Sequence, residues 1–310
     1  MRLGSLCSGY GGLETGISQV LDIQPVWCSE IDKDASKVLA AHDPSVPNLG
    51  DLTVLDWHQV EPVDIICAGF PCQPFSHAGK RLGADDERAI FQYIADGISV
   101  LRPGLVVLEN VPGILTLGGV SVIGTLTGLG YNCRWGIVRA SDTGAPHRRA
   151  RWFCIAEPAD AAFLPGPYVR KGAIDDGNPA ELPRQPRGSN CIAADADADD
   201  GRREGVRSER GLATATIEPR TAHRFGAYEP AVERWERILG RPAPAPTDSR
   251  GLRPEFVEWM MGLSEGWVCG DDLGLSRTAA LKMLGNGVVP AQAALALTLL
   301  DPLNHDQEAR

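Results

Sequence analysis

RLGSLCSGYGGLETGISQVL, residues 2–21, decides the fold. RLGSLCSG reads as a strand, the glycines make a tight turn, and GLETGISQVL has the apolar spacing of a helix. Strand, glycine turn and helix in that order open a βαβ unit. The pattern recurs outward. VWCSEI (26–31) is a second strand, followed by helix DASKVLAAH (34–42). VDIICAGF (63–70) and GLVVLENV (104–111) are two more strands, with ERAIFQYIADGISVL (87–101) as a helix between them. VSVIGTLTGLG (120–130) is a further helix, and RWGIVRA (134–140) and RARWFCIAE (149–157) are adjacent strands. Strands apolar on both faces, alternating with helices, make an α/β fold with a mostly parallel sheet covered on both sides. A Rossmann-like, doubly wound sheet over residues 1–157 is the expectation.

Beyond it the character changes. From 158 to 250 Pro, Gly, Arg and Asp dominate, and ADADADDG (194–201) approaches low complexity. AVERWERILG (231–240) reads as a helix and RPAPAPTDSRG (241–251) as a linker. Regular structure resumes at RPEFVEWMMGL (253–263) and ends in the helix PAQAALALTLL (290–300). A smaller irregular module is therefore expected over 158–271, with 272–310 returning to the α/β domain.

The chain has 310 residues, of which 43% are hydrophobic, enough to bury a real core. No apolar run reaches the length of a membrane span, and with MRL leading straight into a strand no secretory leader is expected. The eight cysteines stand singly, without CxxC pairs or Cys/His zinc spacing, so no metal is expected and reduced thiols in a cytoplasm fit best. A net charge of −10 argues mildly against nucleic acid, but local fields outweigh the sum, and bases cluster in HRRAR (147–151) and GKR (79–81).

Five stretches carry chemistry. CSGYGG (7–12) lies between the first strand and helix, where small residues let a ligand approach the backbone: Cys7, Ser8, Gly9, Gly11 and Gly12. A tight turn alone would also need those glycines. Glu30, about 20 residues on at the end of the next strand, occupies the ribose-binding place of Rossmann-type folds, with Ile31 beside it. Asp51, at the expected end of a third strand, could accept from an adenine amino group, with Leu52 adjoining. NAD, FAD and S-adenosylmethionine all satisfy these features. GFPCQPFS (69–76) sets Cys72 between Pro71 and Pro74, a stiff loop after a strand; it reads as a nucleophile loop or a plain turn. LENVPGI (108–114) ends a strand with Glu109 and Asn110, either an acid facing the same substrate or a helix cap. Arg149 and Arg151 alternate, so they are expected on one face as their strand begins. LGNGVVPAQ (284–292) is a small-residue turn with Asn286 and Val288 before the last helix.

In this order the stretches resemble the DNA cytosine-5 methyltransferase family, over nearly the whole chain except roughly 158–250. LCSGYGGLETGI is similar to the family's cofactor loop, SEID to its ribose carboxylate and GDL to its adenine-binding Asp. DIICAGFPCQPFS resembles the nucleophile loop, LENVPGI the Glu-Asn-Val motif and DTGAPHRRARWFCIA the Arg-x-Arg strand. LRPEFVEWMMGLSEGWV and LGNGVVPAQ resemble the ninth and tenth motifs. The resemblance implies S-adenosyl-L-methionine as cofactor and duplex DNA as substrate. It implies methyl transfer to cytosine C5, with Cys72 attacking C6 of a flipped-out base and Glu109, Arg149 and Arg151 assisting. Cys7, Ser8, Gly9, Gly11, Gly12, Glu30, Ile31, Asp51, Leu52, Pro71, Asn286 and Val288 would hold the cofactor. Gln73, Ser76, Lys80 and Arg81 would hold DNA, and 158–271 would read the target sequence. A monomer and a bacterial or phage-infected cytoplasm go with that reading; a separate cognate restriction endonuclease is compatible with it but not implied by it. The sequence departs from the pattern at Ser5 (a common Asp), Cys7 (Phe), His147 (Gln), Ala150 (Glu) and Gly287 (Ser or Ala). An RNA methyltransferase, a catalytically silent DNA binder and an NAD-dependent dehydrogenase are the alternatives; the last leaves Pro71-Cys72-Gln73 and the arginines without a role.

Overall fold

The structure is a computed structural model that describes residues 1–71, 88–160 and 224–300. The expectations for Cys72, Gln73, Ser76, Lys80 and Arg81, and for most of the 158–250 stretch, lie outside the described residues. Strands β1 (Arg2–Leu6), β2 (Gln24–Ser29), β3 (Ile65–Gly69) and β4 (Leu105–Asn110) pair in parallel in the order β2-β1-β3-β4. The sheet continues with β6 (Ala150–Pro158), antiparallel to β4, and closes on β5 (Tyr131–Arg139), antiparallel to β6. The expected doubly wound, mostly parallel sheet is thus present, with an antiparallel edge made by the two adjacent strands.

Helix α1 (Gly12–Val20) follows β1, α2 (Lys33–His42) follows β2 and α3 (Arg88–Leu101) precedes β4. The short α4 (Ile114–Leu117) and α5 (Gly119–Gly128) lead from β4 to β5. Ile66, Ala68, Val106 and Leu108 point to one face of the sheet, under Phe91, Ile94 and Ile98 of α3. Leu3, Ile65, Cys67, Val107 and Phe153 point to the other, under Leu13 and Ile17 of α1. This is the period-two alternation of strands buried on both faces.

The chain's later part joins the same compact unit. It forms α6 (Glu229–Leu239), the two-residue strands β7 (Thr247–Asp248) and β8 (Gly251–Leu252), α7 (Pro254–Met260), α8 (Arg277–Asn286) and α9 (Pro290–Leu300). Trp235, Trp259, Leu284 and Val289 pack with Tyr10 in one apolar cluster, and Ala293, Ala296 and Leu297 of α9 cover the face beneath α1. Residues 277–300 are long and apolar enough, by composition, to cross a membrane, which the sequence reading overlooked. Here they are two core helices broken at 287–289, with α9 laid on α1, β5 and β6.

Two expectations need correction. The third strand before Asp51 is absent: a single parallel bridge, Cys28 to Asn48, is all that forms, and Asp51 caps a 3-10 turn at Leu52–Val54. Pro44 and Pro47 lack the N–H groups a ladder needs. Arg149 and Arg151 do not share a strand face either. The strand begins at Ala150, and Arg149 has φ 32, a left-handed backbone that turns its side chain elsewhere.

Candidate active site

The carboxyl ends of β1, β2, β3 and β4 open into one cavity of about 500 Å³. This is where an open parallel sheet binds its ligand, at the switch in strand order. The wall is closed from above by the end of α8 and the turn at Gly285, Asn286, Gly287 and Val288.

One end is built around Glu30. Its Oε2 accepts from Gly9 N at 2.8 Å and its Oε1 from Asp32 N at 2.8 Å, so the carboxylate pins the glycine loop to the start of α2. Asn48 fixes Glu30 in turn: Oδ1 accepts from Glu30 N at 3.0 Å and Nδ2 donates to Glu30 O at 3.0 Å. Sequence reasoning passed over Asn48, because an Asn in a Pro-rich stretch reads only as a turn. Asp51 takes Thr53 N–H at 2.9 Å and Thr53 O–H at 2.8 Å, and these bonds hold its carboxyl below the usual range. Ile31 is exposed and Leu52 buried on the same wall.

Cys7 and Ser8 form the floor, and Cys7 has φ 53. Burial, and then the charge of Glu30, pushes the Cys7 thiol up to about 12, so it stays neutral. Gly11 and Gly12 do not line the cavity. Gly11 starts α1 at φ 81, and a Cβ on Gly12 would meet Val288 O at 2.3 Å. They let the loop and the 287–289 turn approach each other.

The other end is built around Glu109. It is 5% exposed, at the end of β4, and Arg151 Nε lies 2.9 Å from its Oε1. The pair is close but not aligned as a hydrogen bond, which leaves Oε1 free to take one. Burial pushes the carboxyl up to about 7, against the pull of Arg151 and then Arg149. Near neutrality it can therefore hold or give a proton. A Cβ on Gly69 would come 3.5 Å from Glu109 Oε2, so the glycine keeps the approach to the carboxyl open. Asn110 Nδ2 donates to Phe70 O at 3.0 Å and ties β4 to the end of β3. Phe70 and Pro71 line the cavity there, immediately before Cys72.

The two arginines have divided duties. Arg151 lines the cavity beside Glu109. Arg149 Nη2 donates to Gly285 O at 2.8 Å and Gly287 O at 2.5 Å, bracing the turn that carries Asn286 and Val288. His147 is kept neutral: burial, then Arg149 and Arg151, depress it to about 4, and neither ring nitrogen has a hydrogen-bond partner. Glu14 and Lys282 also line the cavity without having stood out in the sequence. Among the described residues no group of three or more His, Cys, Asp and Glu could hold a metal.

The family of C-5 cytosine-specific DNA methylases matches residues 1–170, the span that builds the sheet and both ends of this cavity. The chain belongs to this family. Among similar methylases, the Type II methyltransferase M.NlaIV of Neisseria lactamica is 34% identical over 198 residues, 57% of this chain and 47% of the relative. The Type II methyltransferase M.NaeI of Lentzea aerocolonigenes is 26% identical over 324 residues, 98% of this chain and 76% of the relative. The matched stretch spans about half the length of M.NlaIV and of the Type II methyltransferase M.NgoBV of Neisseria gonorrhoeae. Among solved structures, a mutant of Spodoptera frugiperda DNMT2 superposes with a TM-score of 0.61 at 18% identity, over 96% of this chain and 99% of that one. A putative DNA modification methyltransferase encoded within a prophage (E. coli) superposes at 0.57 and 21% identity, over 98% and 99%. At that identity both share the methylase fold.

Proposed function

We propose that the chain transfers a methyl group from S-adenosyl-L-methionine to C5 of cytosine in a specific duplex DNA sequence. The observation that carries this reading is one cavity with Glu30 at one end and Glu109, Arg151 and Pro71 at the other. The residues fit the cofactor. Two acceptor carboxylates, Glu30 and Asp51, suit a ribose diol and an adenine amine, with Ile31 and Leu52 as apolar wall. The volume of about 500 Å³ suits a nucleoside with an amino-acid tail. Cys7, Ser8, Gly9, Pro71, Asn286 and Val288 would line the tail, with Gly11 and Gly12 shaping the loop. When bound, S-adenosyl-L-methionine would supply an electrophilic methyl group.

Cytosine C5 is a poor nucleophile until C6 gains electron density. The Cys72 thiolate adds to C6, and the electron pair of the C5–C6 double bond becomes available at C5. Glu109 gives a proton or hydrogen bond to N3 as charge builds there, which its raised pKa permits. Arg151, buried beside it, stabilises the base carbonyl oxygen electrostatically, and Arg149 holds the turn above. C5 would accept the methyl group with the neutral thioether S-adenosylhomocysteine as leaving group. A water then takes the C5 proton, that electron pair reforms the C5–C6 double bond as the Cys72 thiolate leaves, and the proton on N3 returns to Glu109. The base must leave the duplex for this, at an unstacking cost of roughly a few kcal/mol. Gln73, Ser76, Lys80 and Arg81 are assigned to the extruded strand, and the 158–271 module to sequence readout. The protein would act as a monomer in the cytoplasm of a bacterial or phage-infected cell, alongside a cognate restriction endonuclease.

The test is incubation with unmethylated duplex DNA and S-adenosyl-L-methionine, with 5-methylcytosine mapped at base resolution and tRNA as competitor. Methylation at one short recurring sequence, absent in Cys72→Ala, is expected. Methylation of tRNA alone, or a Cys72→Ala protein at wild-type rate, overturns the reading.

A further inference from the structure

The steps above leave the carboxylate of Glu14 without a role. Glu14 stands in the first turn of α1 and faces Ser5 of β1 across the sheet's end. Ser5 Oγ donates to Glu14 Oε1 and lies 2.7 Å from Ser8 Oγ, so carboxylate and two hydroxyls form one relay. Glu14 Oε2 is buried and has no hydrogen-bond partner. A link that merely ties α1 to β1 needs one acceptor, and the second carboxylate oxygen is left with nothing in the fold to pair it.

The surroundings sharpen the point. The titratable groups that act on Glu14, or on which it acts, are Glu30 and Cys28 from β2 and its end, Cys67 from β3 and Tyr10 from the loop. None of them is a cation. Burial, with Glu30 adding to it, raises the Glu14 carboxyl above its ordinary range. Ser5 and Glu14 also line a second cavity of about 250 Å³. Ser5, Ser8 and Glu14 all line the main cavity as well. The site is thus an uncompensated acid behind the floor where the tail of a methyl donor would lie.

We propose that Glu14, acting through the Ser8 hydroxyl, is the counter-charge that positions the cationic α-amino group of the cofactor's amino-acid tail. This rests on the cofactor reading above. Burial disfavours the charged carboxylate, and an ammonium at Ser8 favours it, so seating the cation shifts Glu14 toward its ionised form and releases protons to solvent. Glu14 is a positioning residue, and Ser5 is the second place from which a carboxylate could reach the same relay.

Calorimetric titration of the full chain tests this, with S-adenosylhomocysteine and, lacking the amino-acid tail, 5′-methylthioadenosine. The titrations run at mildly acidic pH in two buffers of different ionisation heat. The wild-type protein is expected to release protons on binding S-adenosylhomocysteine. Glu14→Gln keeps an acceptor for Ser5; it should bind that ligand about 10- to 100-fold more weakly, with less proton release. Its affinity for 5′-methylthioadenosine should be unchanged. The double variant Ser5→Asp with Glu14→Gln should regain most of the loss. If Glu14→Gln fails to fold, Ser5→Ala cuts the link between Glu14 and Ser8 while leaving the Ser8 hydroxyl in place, and should show the same selective loss. Unchanged affinity and proton release in these variants overturn the inference, as does an equal loss for both ligands that Ser5→Asp does not repair. No binding of S-adenosylhomocysteine to the wild-type chain would overturn the cofactor reading itself.

Discussion

Arg151 Nε lies 2.9 Å from Glu109 Oε1 across the antiparallel junction of β4 and β6, with both side chains nearly buried. Burial still outweighs the cation, and the carboxyl sits at about 7 instead of 4.5. Between those two pH values the unfolded chain loses this proton and the folded one keeps it. Wild-type stability therefore falls as pH rises through that window, and the effect is flat above it. Glu109→Gln lacks the titration. In urea melts its stability should rise relative to wild type from pH 4.5 to about 7 and then run parallel. Loss of the proton donor should also lower methyl transfer by about 10²- to 10⁴-fold.

Arg149 makes a different prediction from Arg151. Its Nη2 donates to two backbone carbonyls, Gly285 O at an exposed position and Gly287 O at a part-buried one. Charged hydrogen bonds of this kind are worth about 1.5–3 kcal/mol. Arg149→Ala should cost about 2–3 kcal/mol in denaturant melts. It should also weaken S-adenosylhomocysteine binding, because the turn with Asn286 and Val288 loses its brace. Arg149→Lys should recover only part of either, since an ammonium cannot reproduce the guanidinium's fixed fork. Full cofactor affinity in Arg149→Ala would mean that the turn holds without it.

The parallel half of the sheet was legible because its signal is local: each strand is apolar on both faces and is followed by glycine or an acid. The ends of those strands therefore point to Glu30 and Glu109 from sequence alone. What escaped depended on contacts distant in sequence. Asp51 looked like the end of a strand, yet Pro44 and Pro47 remove the donors, and Asn48 supplies the order instead. The positive φ of Arg149 breaks a period-two reading that is sound one residue later. Glu14 is one acid in an amphipathic helix until β1 brings Ser5 beneath it. Gly287, which departs from the family pattern, is explained only by Tyr10, 277 residues earlier.

Glycines in helices test packing against propensity. Gly97 lies inside α3, where a Cβ would come within 2.8 Å of the Trp57 ring. Ala is the better helix former by about 1 kcal/mol, but overpacking costs about 1–3 kcal/mol. Gly97→Ala should therefore be destabilising. Gly124 in α5 has nothing within 4 Å of the same position. Gly124→Ala should stabilise by about 0.5–1 kcal/mol, and thermal melts of the two variants should move in opposite directions.

Tyr10 and Gly287 provide the most direct check on how the C-terminal turn is seated. The Tyr10 hydroxyl donates to Val288 O at 2.6 Å, and a Cβ on Gly287 would fall 1.9 Å from the Tyr10 ring. Gly287 has φ −73, so its backbone would accept alanine and the whole cost is steric. The ring has little room to retreat, because its other edge lies against Gly12, where an added Cβ would fall 2.6 Å from it. Gly287→Ala should lose about 1–3 kcal/mol by overpacking, and Tyr10→Phe about 1 kcal/mol by leaving Val288 O unpaired. Shortening the side chain to Tyr10→Leu removes the obstacle at the cost of packing. In that background Gly287→Ala should become nearly neutral, giving a coupling of about 1–3 kcal/mol in a double-mutant cycle. Additive losses would mean that the turn, and with it Asn286 and Val288, is not held against the glycine loop by this ring.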